Sequence, residues 1–248
     1  MGLFSKNKDK RKKKKVRTRE LRLVAGKDAP FRFVESYKEL RTNLDFVLPS
    51  GRGSCLAVTS AVPEEGKSNV AINLAVTLGA NDKKVLLVDC DLRKPILHRY
   101  LKLEHSEAGL SGVLSGNKRL DECIFKFKNL NICVITAGTV PPNPSELLEK
   151  GMPQLLQEVK DKFDYIILDT PPVSLVTDAA VLGRMADGAI LVVRSAFATR
   201  EVIKLAKQKL TSVGVNIFGV VLNQFDEKNS RTNSGYSYSY QYNYYGDD

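Results

Sequence analysis

The amino-acid sequence predicts an α/β domain with a mainly parallel β-sheet and helices on both of its faces. Short apolar segments alternate along the chain with longer segments of helical periodicity, as they do when helices connect parallel strands. A chain of 248 residues that is 43% hydrophobic can bury a substantial core, and α/β domains of this length commonly fold as one unit. We therefore expect one domain over residues 30–227, with segments of different character at residues 1–29 and 228–248.

A basic segment precedes the predicted domain. Residues 1–19 contain ten Lys or Arg and one acidic residue, which accounts for most of the net charge of +10. Like charges in a block repel each other, so we expect residues 1–29 to form a disordered arm that contacts an anionic surface. A membrane is favoured over nucleic acid, because no aromatic residues interleave the basic side chains. An arm that only increases solubility is the alternative.

The chain shows no signal for secretion or membrane insertion. No apolar segment reaches the length of a transmembrane helix, and the N-terminus lacks the apolar core of a signal peptide, which predicts a cytoplasmic location. The cysteines have no CxxC spacing, so we expect reduced thiols and no zinc site. They are Cys55, Cys90, Cys123 and Cys133.

The first predicted element of the domain is a helix over residues 30–48. Its apolar side chains recur three or four residues apart and form one face: Phe33, Tyr37, Leu40, Leu44 and Val47. Glu35, Lys38 and Arg41 fall on the opposite face. A solvated face with charge pairs three residues apart explains them on its own.

The next strand, residues 56–58, leads into the most informative segment. Ala61, Gly66, Lys67 and Ser68 have the [G/A]-x-x-x-x-G-K-[S/T] spacing of a phosphate loop, and a helical pattern follows. Backbone N–H groups of such a loop surround nucleotide phosphates, while the lysine reaches the outer phosphates and the serine hydroxyl binds Mg²⁺. A chance match in a strand-to-helix loop is the alternative. The predicted nucleotide-binding residues are Ala61, Val62, Pro63, Glu64, Glu65, Gly66, Lys67, Ser68 and Asn69.

Acidic residues follow two further buried strands. Asp89 and Asp91 come at the end of the apolar run 85–88, and Asp169 ends the run 165–168. The carboxyl ends of parallel strands are where such sheets bind ligands, and carboxylates suit Mg²⁺. These residues therefore predict a magnesium site beside the phosphate loop, whereas a helix cap plus a surface acid is the alternative for the first two.

The remaining pattern completes the alternation. It predicts helices at 109–116, 119–126, 145–162, 177–186 and 199–213, and strands at 132–136, 189–193 and 218–222. Arg194 and Asn223 stand just past two of these strands. They are predicted to contact the nucleotide base or ribose, with a capping or turn role as the alternative.

The C-terminal segment, residues 228–248, has no pattern of a packed core. Five of its tyrosines alternate with Ser, Gln or Asn, which is compatible with a strand, but no aliphatic residue accompanies them and a disordered tail is favoured. Beside a nucleotide site these side chains are candidate phosphoacceptors, and a tail without chemistry is the alternative. The reach from Gln224 is roughly 25 Å, enough to find an active site. The six tyrosines are Tyr236, Tyr238, Tyr240, Tyr242, Tyr244 and Tyr245.

Together these motifs resemble the bacterial tyrosine kinases (BY-kinases), in particular the kinase half of the Gram-positive type that regulates capsule or exopolysaccharide synthesis. The resemblance extends from about Pro30 to the C-terminus. It rests on the phosphate loop, the acidic segment 85–93, the Pro- and Ser-containing segment 141–148, the Walker B strand 166–169 with its Thr-Pro-Pro, and the tyrosine cluster.

The resemblance implies a P-loop NTPase fold and ATP-dependent autophosphorylation of the tyrosine cluster in trans within a homo-oligomeric ring. By similarity Lys67 holds the outer phosphates, while Ser68, Asp89 and Asp169 organise Mg²⁺. Asp91 is the candidate that orients or deprotonates the tyrosine hydroxyl, so that Lys67, Asp89 and Asp91 form the catalytic set. The implied partners are a membrane-embedded adaptor and a phosphotyrosine phosphatase, with the protein held at the inner face of the membrane.

Two positions depart from the family pattern. The family's E-x-x-R-x-x-R strip for subunit contact reads here Glu35, Lys38 and Arg41, and lysine lacks the bidentate fork of arginine. In the phosphate loop, relatives commonly have Pro-Gly where this chain has Pro63-Glu64. If that position requires a positive φ, glutamate costs about 1–2 kcal/mol.

The main alternative is a dimeric ATPase switch of the partitioning and division-site type, which shares the fold. Those proteins carry a second lysine directly after the first small residue of the loop, where this chain has Val62. That difference, together with the tyrosine cluster and the Asp89-x-Asp91 pair, favours the kinase. A nucleotide-binding scaffold without kinase activity is a third interpretation, suggested by Glu64.

Overall fold

The computed structural model describes residues 23–49, 53–103 and 107–225. Most of the basic arm and the whole tyrosine cluster lie outside these ranges, so that the predictions made for them stay predictions. The helices and strands are α1 (Phe31–Val47), β1 (Ser54–Ser60), α2 (Lys67–Gly79), β2 (Val85–Asp89), α3 (Leu97–Tyr100), α4 (Leu110–Leu114), α5 (Leu120–Cys123), β3 (Ile124–Phe127), β4 (Ile132–Ile135), α6 (Pro144–Val159), β5 (Tyr165–Asp169), α7 (Asp178–Met185), β6 (Gly188–Arg194), α8 (Arg200–Thr211) and β7 (Ile217–Asn223).

The strands form one seven-stranded sheet in the order β3-β4-β2-β5-β1-β6-β7. All neighbouring strands are parallel except β3 and β4, which confirms the predicted mainly parallel α/β fold. The central strands β1 and β2 are buried along their whole length, because helices cover both faces of the sheet. Since β2, β5 and β1 are adjacent and parallel, the loops that follow them lie side by side at the carboxyl ends of the strands.

The helices on the two faces enclose separate parts of the core. On one face, α1 and α2 pack against the sheet, and nearly all of α2 is buried. The packed region already includes Leu23 and Val24, and the Val24 backbone N–H donates to Asn73 Oδ1 at 2.8 Å. Leu23 and Val24 therefore pack against the core, although they fall within residues 1–29, which were predicted to form the arm.

One predicted helix is wrong in part. Residues 119–126 were expected to form a helix, but α5 ends at Cys123 and β3 begins at Ile124. β3 pairs antiparallel with β4, with Ile124 opposite Ile135. Because Ile124 and two phenylalanines favour strands and β4 offers a free edge, the long-range pairing overrides the local helical pattern. Among the described residues, no helix combines the length and apolar character needed to cross a membrane.

Candidate active site

The phosphate loop connects β1 to α2 and is shaped by Gly66, the N-cap of α2. Its φ is 91°, in the left-handed region that favours glycine. A Cβ atom added there would lie 2.1 Å from Asn223 Nδ2, so that a larger residue does not fit. The free N–H groups at the start of α2 attract anions, which fits the predicted binding of nucleotide phosphates.

Lys67 lies at the point where the three central strand ends meet. Its Nζ is 3.2 Å from an Asp91 carboxylate oxygen and 3.4 Å from Asp169 Oδ1. Burial alone lowers the pKa of Lys67, but the nearby carboxylates of Asp169, Asp91 and Asp89 outweigh it and raise that pKa. The ammonium group is therefore held in its charged form beside the phosphate loop.

Asp169 carries the clearest indication of a cation site. Its carboxylate is fully buried, and Oδ2 has no hydrogen-bond partner among the described residues. Burial raises its pKa, whereas Lys67 and a hydrogen bond from Ser68 oppose that rise. A buried polar atom without a partner requires an explanation, and Mg²⁺ prefers oxygen ligands such as this carboxylate and the Ser68 hydroxyl. The donor set thus fits the predicted magnesium ion.

In contrast to Asp169, both carboxylate oxygens of Asp89 accept hydrogen bonds from backbone N–H groups. Its Oδ1 accepts the N–H of Asp91 at 3.2 Å, and its Oδ2 accepts the N–H groups of Ile96 at 3.2 Å and Leu97 at 3.1 Å. Burial, followed by the charge of Asp169, raises its pKa. The carboxylate shapes the loop after β2 and caps α3, which is the capping role weighed above. Its predicted role in metal binding and catalysis stays a prediction.

Asp91, unlike Asp89, makes a direct contact with the phosphate-loop residue Lys67. One of its carboxylate oxygens contacts Lys67, and Oδ1 accepts the Lys94 N–H at 3.0 Å. The residue is only 5% exposed. The contact with Lys67 brings Asp91 close to the end of the phosphate loop, as its predicted action on an incoming hydroxyl requires.

Arg93 makes a contact that the sequence did not reveal. Its Nε donates to Asp178 Oδ2 at 3.0 Å and its Nη2 donates to Ser145 Oγ at 2.8 Å. The Asp178 side chain is fully buried and also accepts the Ser145 hydroxyl. Arg93 therefore ties the loop that carries Asp91 to the N-termini of α6 and α7, instead of extending toward the phosphate loop.

A second set of contacts that the sequence did not reveal holds the phosphate loop against the ends of β6 and β7. The Glu65 carboxylate is fully buried and accepts the N–H of Val62 at 2.8 Å and that of Arg194 at 3.3 Å. Asn223 Nδ2 donates to the Glu65 carbonyl at 2.8 Å, and Asn223 Oδ1 accepts the Gln224 N–H at 3.0 Å. The loop is thus attached to the ends of β6 and β7, and the predicted base or ribose contacts of Arg194 and Asn223 stay predictions.

Asn223→Asp should therefore weaken nucleotide binding about three- to tenfold, the effect of one lost hydrogen bond. Aspartate still accepts the Gln224 N–H but no longer donates to the Glu65 carbonyl. Titration of a fluorescent ATP analogue measures the change. The control is Gln224→Ala, which leaves the backbone contact in place and should bind normally; equal affinity in Asn223→Asp and the parent protein would refute the supporting role.

Glu64 adopts the backbone conformation that makes its departure from the family pattern costly. Its φ is 67° and its side chain is exposed. Glu64→Gly should therefore raise the free energy of unfolding by about 1 kcal/mol, and removal of the carboxylate should increase nucleotide affinity a few-fold. Glu64→Ala separates the two effects, because it removes the charge but keeps the strained Cβ. Thermal unfolding and nucleotide titration test both variants, and a stability gain in Glu64→Ala equal to that in Glu64→Gly would contradict the backbone explanation.

The residues predicted for subunit contact lie on α1. Lys38 Nζ contacts Glu35 Oε1 at 2.7 Å, and both side chains are partly exposed. This is the intrahelical charge pair that the spacing also allowed, so the predicted contact of Glu35, Lys38 and Arg41 with a second subunit stays a prediction. The candidate phosphoacceptor tyrosines lie outside the described residues.

The chain is similar to known proteins over most of its length. A family model described as an AAA domain matches residues 64–213. Tyrosine-protein kinase YwqD of Bacillus subtilis (strain 168) is 39% identical over 190 residues, which cover 76% of this chain and 80% of the relative. Tyrosine-protein kinase etk of Escherichia coli (strain K12) is 39% identical over 223 residues, or 90% of this chain. The chain spans only 30% of the length of that second relative.

Solved structures distinguish between the two predicted classes. The kinase domain of Escherichia coli tyrosine kinase ETK matches with a TM-score of 0.79 and 38% identity over 90% of this chain and 87% of that domain. The cell division ATPase MinD of Pyrococcus furiosus matches with a TM-score of 0.58 and 29% identity over 68% of this chain and 71% of that protein. The comparisons favour the kinase over the ATPase switch and confirm the predicted family. The chain belongs to the family of bacterial tyrosine-protein kinases.

Proposed function

We propose that this chain is an ATP-dependent autokinase that phosphorylates the C-terminal tyrosine cluster of a neighbouring subunit. The single observation that supports it most is the convergence of Lys67 with Asp91 and Asp169, at 3.2 Å and 3.4 Å, beside a glycine-shaped phosphate loop. Phosphoryl transfer needs positioning and neutralisation of charge, and this set of side chains supplies both.

Each residue has a distinct task in this proposal. Lys67 and the N–H groups of the loop hold the outer phosphates of ATP. Ser68 and Asp169, assisted by Asp89, would hold Mg²⁺, which when bound neutralises phosphate charge. Asp91 orients the tyrosine hydroxyl or accepts its proton, because it adjoins Lys67 and is not enclosed by the loop in the way that Asp89 is.

The assembly and its setting form part of the same proposal. Glu35, Lys38 and Arg41 on α1 contact the next subunit in a homo-oligomeric ring, which brings a tail to a neighbouring site. A membrane-embedded adaptor activates the kinase at the inner face of the membrane, where the basic arm contacts anionic lipid. A phosphotyrosine phosphatase reverses the modification, and the cycle regulates synthesis of a capsular or extracellular polysaccharide.

A mixing experiment tests transfer between subunits. Full-length Lys67→Met protein serves as the acceptor, and protein ending at Asn229, which lacks the tyrosine cluster, serves as the enzyme. With Mg-ATP and the cytoplasmic segment of the adaptor, phosphotyrosine should appear on the full-length partner. ATP hydrolysis that responds to DNA or lipid without any phosphotyrosine would support the ATPase switch instead, and ATP binding without either reaction would support a scaffold.

A further inference from the structure

The two edge strands of the sheet differ in how they are protected. β3 has four residues and carries Lys126, so it is short and charged, as edge strands that avoid unwanted pairing commonly are. β7 has seven residues with the sequence IFGVVLN, which contains no charged residue and no proline. Within the described residues β7 pairs with β6 alone. Its outer edge thus offers backbone donors and acceptors to another strand.

The exposed side chains of β7 strengthen this observation. Val220 is 59% exposed and Leu222 is 52% exposed, and residues two apart on a strand lie on the same face. Phe225, which follows the strand, is 50% exposed. A Cβ atom added at Gly219 would meet no atom within 4 Å. A long, apolar and uncharged edge of this kind is a surface for strand addition.

The chain itself continues from this edge with a segment of matching chemistry. Residues 226–248 follow Phe225 directly, and residues 236–244 read YSYSYQYNY, with no charge and with tyrosine at every second position. Tyrosine favours strands, and a period of two places all five rings on one face. Alone, this segment has no aliphatic surface to cover, but Val220 and Leu222 supply one. Residues 226–235 are long enough to reverse the chain direction.

We propose that, before phosphorylation, residues 236–244 add to the free edge of β7 in the same chain as an antiparallel strand. The alternating tyrosines then lie beside Val220 and Leu222 on the same face of the sheet. This inference depends on the proposed function only in treating the tyrosines as phosphoacceptors. It assigns the β7 edge as the binding site of the unphosphorylated tail.

Strand addition would keep the acceptors away from the catalytic residues. The active site lies at the carboxyl ends of the strands, and an antiparallel segment that starts there runs along β7 toward the amino ends of the strands. Nine residues span about 30 Å at the usual rise per residue. Each phosphate adds a charge of roughly −1.5 to −2, and phosphates on alternate residues would repel each other over an apolar surface. Phosphorylation therefore prevents the tail from returning to β7.

Amide hydrogen exchange on catalytically inactive Lys67→Met protein tests the docking without any need for kinase activity. The amides of residues 236–244 should exchange at least about tenfold more slowly than expected for an unfolded peptide. The double variant Val220→Lys/Leu222→Lys, made in the same protein, should lose that protection. The matched control is Leu205→Lys, at a residue of α8 that is 53% exposed, and it should keep the protection. Unprotected amides in the parent protein, or equal protection in the double variant, would overturn the proposal.

Two further measurements test whether a second copy occupies the β7 edge, and whether the docking and the proposed kinase function fail independently. Protection that disappears on dilution, together with a dimer in sedimentation analysis, would show that a second copy occupies the edge and would overturn docking within one chain. When the β7 double variant is made in the full-length Lys67→Met acceptor, the first phosphorylation of that acceptor in the mixing assay should be several-fold faster. An absence of phosphotyrosine in every variant would refute the proposed kinase function, whereas the exchange result would still decide where the tail binds.

Discussion

Lys67→Met is expected to abolish tyrosine phosphorylation, lowering its rate at least about 100-fold, the effect of removing one preorganised group that stabilises charge in a transition state. Lys67 ends the loop that would hold the phosphates, and it contacts both Asp91 and Asp169. Methionine has a similar length but no charge, so the phosphates lose their partner and the two carboxylates remain unneutralised. Quantified phosphotyrosine against time, with Mg-ATP in excess, measures the loss.

The control for Lys67→Met is Lys83→Met, which removes the same charge from an exposed loop residue before β2. It should phosphorylate at the parent rate. Because removing Lys67 leaves buried carboxylates unpaired, the variant should also unfold at a lower temperature, and circular dichroism checks that it is folded at the assay temperature. Phosphotyrosine formation by folded Lys67→Met protein at the parent rate would exclude the assigned role.

Asp91→Asn should slow phosphoryl transfer about 10²- to 10⁴-fold, the range for a group that moves or orients a proton. Asparagine keeps the size of the side chain and its loop contact but cannot accept the proton of a tyrosine hydroxyl. Nucleotide affinity should change much less than the rate, because the loop that would surround the phosphates is supported by Glu65 and Asn223. Rates at saturating ATP and titrations of an ATP analogue separate the two quantities.

Asp169→Asn provides the contrast to Asp91→Asn. It should lose the dependence of nucleotide binding on Mg²⁺, because Asp169 Oδ2 is the buried oxygen without a partner among the described residues. Asp161→Asn, at an exposed position after α6, is the neutral control for loss of a carboxylate. If Asp91→Asn and Asp169→Asn lost Mg²⁺-dependent binding to the same degree, Asp91 would be a metal ligand and its assignment to the tyrosine hydroxyl would be wrong.

The central part of the candidate site could be predicted from the sequence because its residues come in short contiguous segments. The loop with Gly66 and Lys67 has a spacing set by the phosphates it would surround, and Asp91 and Asp169 follow buried apolar runs. The carboxyl ends of parallel strands lie on the same side of the sheet. The sequence therefore also predicted that these side chains would lie close together. The observed contacts of Lys67 agree with that prediction.

The supporting contacts could not be predicted in the same way. Asn223 and Glu65 are 158 residues apart, and Arg93 and Asp178 are 85 apart, with no periodic pattern that relates either pair. The strand β3 was missed for a related reason, since its pairing with β4 depends on an edge that becomes available only in the folded sheet. Long-range hydrogen bonds of buried side chains determine these features, and local propensity does not report them.

The side chain of Asn223 connects the start of the C-terminal segment to the phosphate loop. Asn223 ends β7, and its amide joins the Gln224 N–H to the Glu65 carbonyl, one residue before Gly66. In the proposed ring, capture of the tail by a neighbouring subunit would therefore act on the residue that supports the phosphate loop. We expect tail capture to speed the release of ADP from the subunit that owns the captured tail. Nucleotide exchange in a subunit would then depend on whether its own tail is bound by the neighbour.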